Sequence, residues 1–330
     1  MERGPWMGLH QEDAPIARAD VLIVGVPYDG SVSHDPGAAK APGVLRELST
    51  DAAPWTEDGL SFADLRVRDV GDVAVAQEDD EATQTAIRAA VQSLPSETSV
   101  ILALGGDHSI TSGVVSGLQH KGRLGVLWFD AHPDLMNTFK GINGKRESKW
   151  NHACPLRRIL ELDNVSSEDV LLVGTRDFLP EELSHIREHN LNVVWARDLP
   201  KLPAGGLADR IEEAFANVDS LYVSFDIDVL DPSAGPGTGV PIPGGMTTRH
   251  LYDTLQELTR RASAPDRSHV PRLVGFDLVE ISPPADVNRI TALAGMGILS
   301  NTFGLIAVQK GLAGDLLEED RPRNASPLDP

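Results

Sequence analysis

Gly125-Val126-Leu127-Trp128-Phe129-Asp130-Ala131-His132-Pro133-Asp134 opens as an unbroken apolar run and closes on a histidine between two aspartates. A run without polar alternation reads as a strand buried on both faces, the kind found in parallel sheets covered by helices. Similar short runs recur at 21–26, 100–104, 170–173, 193–195, 221–225 and 273–276. Between many of them lie stretches with helical periodicity, at 81–94, 180–189, 207–218 and 247–262. Thr247 and Thr248 suit the entry to one helix, and Pro180 with Glu181 and Glu182 suits the first turn of another. The stretch 288–312 reads as one long helix or two, because Gly295, Gly297 and Gly304 weaken it. Alternating strands and helices predict a three-layer α/β/α sandwich around a mostly parallel sheet.

A chain of 330 residues with 41% hydrophobic content supports one large core, so a single domain over 1–330 is expected. Residues 1–18 read as an N-terminal extension, and 315–330 as an acidic, proline-containing tail with poor order. The polar, lysine-bearing stretch 135–151 follows a strand directly and reads as a long functional loop. With 29 Lys+Arg against 49 Asp+Glu the net charge is −20, which argues against a nucleic-acid partner. Cys154 is the only cysteine, so an intrachain disulfide is excluded and a cytoplasmic setting is expected. The sequence has no uninterrupted apolar run of ~18 residues, and no membrane span is expected.

Ligand-type residues gather where the strands end. Asp130 and His132 follow one, Asp226 and Asp228 another, and in extended chain residues i and i+2 point to the same side. A third strand runs into Gly105-Gly106-Asp107-His108-Ser109, whose glycines permit a tight turn. Carboxyl ends of strands are where open α/β sheets hold ligands. Carboxylates gathered at one rim cannot all ionise unaided, so cations are expected among them. Oxygen-rich ligation with some imidazole suits Mn²⁺, with Ni²⁺ and Zn²⁺ as alternatives. His108, Asp130, His132, Asp134, Asp226 and Asp228 are more ligands than one zinc needs, which favours two ions.

Leu104-Gly105-Gly106-Asp107-His108-Ser109, the segment Phe129 to Asp134, and Ser224-Phe225-Asp226-Ile227-Asp228-Val229-Leu230-Asp231-Pro232 resemble the three metal-binding signatures of the ureohydrolase family, arginases and agmatinases. The resemblance runs from Gly25-Val26-Pro27-Tyr28-Asp29-Gly30 to Ile290-Thr291-Ala292-Leu293. It implies two divalent ions, Mn²⁺ first and Ni²⁺ second. One would be held by His108, Asp130, Asp134 and Asp226, the other by Asp130, His132, Asp226 and Asp228. It also implies that Glu280, in the DxVE motif, orients a small cationic guanidino substrate. Asp134 would relay a proton to the leaving amine, and His152 would assist proton transfer. Cys154 reads as a packing residue. A homo-oligomer, trimer or hexamer, is implied, and a mixed oligomer with a paralogue stays open.

Ser233-Ala234-Gly235-Pro236-Gly237-Thr238-Gly239 resembles the agmatinase branch, and Leu179 stands where arginases carry an aspartate that holds the substrate amino group. Hydrolysis to urea and an amine is therefore expected, with agmatine ranked before guanidino acids, alkylguanidines third, and arginine poor. Guanidino acids would need Lys140, Lys145, Arg146 or Lys149 turned inward. A single-zinc deacetylase on a related fold is disfavoured by the full ligand set. A non-catalytic paralogue subunit is disfavoured by the intact ligands and Glu280.

Overall fold

The computed structural model describes residues 4–33, 36–119, 122–140, 147–264 and 270–316. Its strands are β1 Val21–Gly25, β2 Leu60–Ser61, β3 Val67–Asp72, β4 Val100–Leu104, β5 Leu124–Phe129, β6 Val170–Val173, β7 Asn192–Val194, β8 Ser220–Asp226, β9 Arg272–Val279 and β10 Gly314–Asp315. Its α-helices are α1 Ala41–Ser49, α2 Asp80–Gln92, α3 Ile110–Gly117, α4 Pro155–Ile159, α5 Pro180–Glu188, α6 Gly206–Ala214, α7 Thr248–Ala262 and α8 Ile290–Lys310. Eight strands pair in the order β3-β1-β4-β9-β8-β5-β6-β7, every pairing parallel.

Alternate residues of one strand enter two separate cores. Leu127 and Phe129 pack with α1, α6, α7 and α8, whereas Val126 and Trp128 pack with α2, α3, α4 and α5. Both sheet faces are therefore dry, and the three-layer sandwich expected from the apolar runs is the one observed. Asp79 caps α2 by accepting from Ala82 N–H, and Thr247 caps α7 by accepting from His250 N–H.

Three parts differ from the sequence expectation. The stretch 288–312 holds one unbroken helix, α8; its glycines serve close packing, since a Cβ at Gly297 would overlap the Tyr252 hydroxyl. This helix is also long and apolar enough to cross a membrane by composition, but 78% of its apolar window is buried against the protein. Trp6, Met7 and Leu9 of the expected extension lie in the core, and Trp6 Nε1 donates to Asp69 at 2.8 Å. The first residues of the expected tail are paired, β10 with β2, and residues 317–330 lie outside those described. So do Lys145 and Arg146.

The strand order explains how distant motifs meet. β4, β9, β8 and β5 are consecutive in the sheet, although their residues span 100 to 279. Leu104 pairs with Leu278, Leu278 with Phe225, and Phe225 with Phe129, so the four strands end level. The turns leaving these four ends face one crevice, at the sheet's carboxyl edge.

Candidate active site

Asp226 is the last residue of β8, whereas Asp130, Asp134 and Asp228 are presented by the chain just beyond the strands. β5 stops at Phe129, one residue before Asp130, and Asp228 lies in a 3-10 turn, Ile227–Val229. Each turn is closed by its own aspartate: Asp130 accepts from His132 N–H at 2.6 Å and Asp226 from Asp228 N–H at 2.8 Å. The same-side pairs expected from an i, i+2 strand rule are thus assembled by Asx-type turns. Trp128 Nε1 donates to Asp130 at 2.9 Å, Ala131 N–H donates to Asp228 at 3.0 Å, and Asp134 holds a left-handed φ of 52°. Gly106 runs so close to Tyr28 that a Cβ would overlap the Tyr28 backbone, which fixes the turn that carries His108.

His108, Asp130 and Asp226 offer ligand atoms within 4.8 Å of one another, and Asp130, His132 and Asp228 form a second such group. Asp130 is common to both. Asp134 joins the first, its carboxylate 3.1 Å from His108 Nδ1. Ligand atoms sharing one ion at ~2.1 Å at right angles lie ~3 Å apart, which is the separation of His108 Nδ1 from Asp130, Asp134 and Asp226, 3.0, 3.1 and 3.1 Å.

One buried atom tests whether the residues fit a metal. Ser224 Oγ donates to Asp277 at 2.7 Å, so it accepts from His108 Nε2 at 2.8 Å, and Nε2 carries the hydrogen. Asp277 also accepts from Thr111 and Tyr222 hydroxyls, each at 2.7 Å. This chain aims His108 Nδ1 at three carboxylates, where it is buried without a hydrogen bond. A lone pair facing three carboxylates is repulsive unless a cation lies between them. The titrations point the same way, since without a metal ion the carboxylates draw a proton onto this nitrogen. Burial opposes a charged His108, yet Asp130, Asp134 and Asp226 hold its pKa well above the usual value. Burial, reinforced by Asp130, pushes Asp134 up to about 7. Burial together with Asp228 and Asp130 raises Asp226 well above the carboxylate range. The cluster lacks positive charge, and the donor set fits divalent ions.

Glu280, at the end of β9 with φ 62°, accepts from His108 N–H through Oε1 at 2.8 Å and lines the cavity. Its Oε2 is left toward Gly239 and the open space. Burial and the nearby Asp107 push its carboxyl well above the usual range, an imbalance that a bound cation relieves.

His152 is placed at the same cavity by the 31–33 loop. The Ser31 carbonyl can only accept, so His152 Nδ1 donates to it at 2.5 Å and Nε2 accepts from Ser33 Oγ at 2.9 Å. Burial pushes His152 down to about 4, which leaves a neutral ring with its acceptor nitrogen toward the cavity. Buried Asp107 accepts from both Ser31 and Ser109, joining this loop to the His108 turn. Cys154 is buried and burial pushes its thiol up to about 12, as suits a packing residue.

Sequence reading did not single out Trp128, Ser31, Ser224 or Asp277 for roles at the site. Asp277 had a usable signal, a carboxylate inside an otherwise apolar strand, since a charge there needs partners.

The chain matches the arginase family over residues 19–304. It is 32% identical over 298 residues to an agmatinase of Pyrococcus horikoshii, covering 88% of this chain and 94% of that one. It is 33% identical over 277 residues to an arginase of Staphylococcus aureus, covering 74% and 86%. The solved proclavaminate amidinohydrolase of Streptomyces clavuligerus superposes with a TM-score of 0.78 at 29% identity, covering 93% of this chain and 97% of its own. With its sheet, its crevice and nearly its whole length accounted for in this way, the chain belongs to the arginase family, hydrolases that act on guanidino compounds.

Proposed function

We propose that this protein is an agmatinase-like ureohydrolase holding two divalent ions and splitting urea from a guanidino compound without arginine's amino-acid head. His108, Asp130, Asp134 and Asp226 would hold one ion and Asp130, His132, Asp226 and Asp228 the other, with Asp130 and Asp226 shared. Mn²⁺ is the expected ion and Ni²⁺ the alternative. The observation that carries the reading is the buried, hydrogen-bond-free His108 Nδ1 facing three carboxylates.

When bound, the ions supply the Lewis acidity that makes water a nucleophile near neutral pH. The chain does the rest. Glu280 Oε2 accepts from the guanidinium and turns its planar face toward the metal side of the cavity. Asp134 passes a proton to the leaving amine. Its pKa near 7 belongs to the cluster without metal and moves down once a cation sits beside it. His152 Nε2, bonded to Ser33 Oγ, takes up the second proton, released as the urea carbonyl forms, and passes it to the cavity mouth.

Leu179 supports the exclusion of arginine. It lines the cavity at 44% exposure and offers no partner for an α-ammonium. A homo-oligomer, trimer or hexamer, in the cytoplasm accompanies this reading. The test is urea release from agmatine and arginine with metal content measured on the same sample. Two ions per chain and agmatine above arginine are expected; one ion in active enzyme, or arginine preferred, overturns it.

A further inference from the structure

We propose that the preferred substrate carries an apolar, uncharged tail, making it a monoalkylguanidine. This rests on the ureohydrolase reading and specifies its substrate. The cavity, about 350 Å³, is larger than a bare guanidinium needs and falls in the range of small-molecule sites. Its polar lining joins the ligand cluster and Glu280 to Ser33, His152, Asp177 and Glu182. The rest of the lining is an apolar wall of Met136, Phe139, Ala153, Phe178, Leu179 and Val240.

Two carboxylates besides the ligand cluster and Glu280 reach this cavity, one buried and hydrogen-bonded, the other half-exposed beside His132. Glu182 accepts from Leu135 N–H at 3.0 Å and Leu179 N–H at 2.9 Å and is buried. Asp177 lies 3.7 Å from His132 Nε2, beyond hydrogen-bond distance, with its side chain 55% exposed. An ammonium seated among these apolar atoms would give up its water, and the one carboxylate open to it is half-exposed Asp177, which His132 already faces. A terminal carboxylate fares no better: among the described residues no Lys or Arg lines the cavity, and Lys140 and Lys149 are exposed outside its lining. A hydrocarbon tail gains from the same wall. The substrate order is therefore alkylguanidines, then agmatine, then arginine, with alkylguanidines moved up from the third place expected on the motifs alone.

The test is kcat/KM for urea release by the Mn²⁺-loaded protein from methyl-, ethyl-, propyl- and butylguanidine, with agmatine and 4-guanidinobutyrate as charged counterparts of the last. Each added methylene should raise kcat/KM about fourfold, equivalent to ~0.8 kcal/mol. KM should carry most of the change, because the tail touches the same wall before and during reaction. Butylguanidine should exceed agmatine at least about tenfold. Leu179→Asp should narrow that ratio at least about tenfold within one protein sample. Aspartate suits the helix N-cap position that Leu179 occupies, so the variant is expected to fold. A flat methylene series, agmatine equal to or above butylguanidine, or an unchanged ratio in Leu179→Asp overturns the apolar tail while leaving the hydrolase reading standing. Urea from none of the guanidines overturns both.

Discussion

Replacing Glu280 by glutamine separates substrate orientation from metal binding, because the two oxygens of this carboxylate have different neighbours. Oε1 accepts the His108 backbone N–H at 2.8 Å, and an amide nitrogen cannot take that place without opposing two donors. The glutamine must therefore keep its oxygen on His108 and turn its NH₂ to where Oε2 faced the open cavity. A guanidinium arriving there loses a charge-assisted hydrogen bond, ~1.5–3 kcal/mol, and meets a donor instead of an acceptor. Together these amount to ~3–4 kcal/mol, or a loss of about 10²–10³ in kcat/KM. Metal content should stay at the wild-type level, since the His108 contact that holds the turn survives. Thermal stability should hold or rise, because the variant removes a buried carboxylate whose charge is opposed by burial and Asp107. Urea release and metal analysis on one preparation decide it. Loss of metal from the variant, or a decline smaller than about tenfold, refutes the assignment of Glu280 to guanidinium.

Asp130 belongs to both ligand groups, so Asp130→Asn should lower metal content at both sites, whereas His108→Ala should mainly weaken one; elemental analysis of dialysed samples distinguishes them. Gly106→Ala places a methyl group into the Tyr28 backbone, which cannot rotate away as a side chain would, so the unfolding free energy from denaturant titration should fall by more than the ~1–3 kcal/mol of ordinary overpacking, and the midpoint with it. An unchanged midpoint would show that the turn carrying His108 has room to spare. His185, away from the site on α5, accepts from Arg157 through Nδ1 at 2.8 Å, and burial together with Arg157 pushes it down to about 4. Between that value and its ordinary 6.5 the unfolded chain binds the extra proton, so stability should rise with pH across this window and fall as acid is added. His185→Gln, which cannot take the proton, should flatten that part of the melting-temperature profile; identical slopes would contradict it.

How far the molecule can be read from its residues depends on what each part demands of them. β4 and β6 coincide with the apolar runs at 100–104 and 170–173 because a strand covered on both faces admits little else. β3 escapes the same reading. It is an edge strand whose Arg68, Asp69 and Asp72 are polar, and Arg46 bonds both aspartates, a compensation that no local pattern announces. α8 shows the reverse error, where helix propensity counts glycines as interruptions but Gly297 is required by the Tyr252 hydroxyl beside it.

The candidate site divides along the same line. Holding a divalent ion requires carboxylate and imidazole at a few fixed places, so His108, Asp130 and Asp228 stand out in a sequence even when the turn that presents Asp228 does not. The tail wall requires only apolar atoms, and Met136, Phe178 and Val240 come to it from separate loops with nothing in their neighbours to mark them. Chemistry is thus written in residue type at level strand ends, while specificity is written in where loops happen to converge. Substitutions at Leu179 should accordingly change which guanidine is cleaved and leave the number of bound ions alone. A variant there that lost metal would mean that wall and floor are not separable, and that the division drawn between them is wrong.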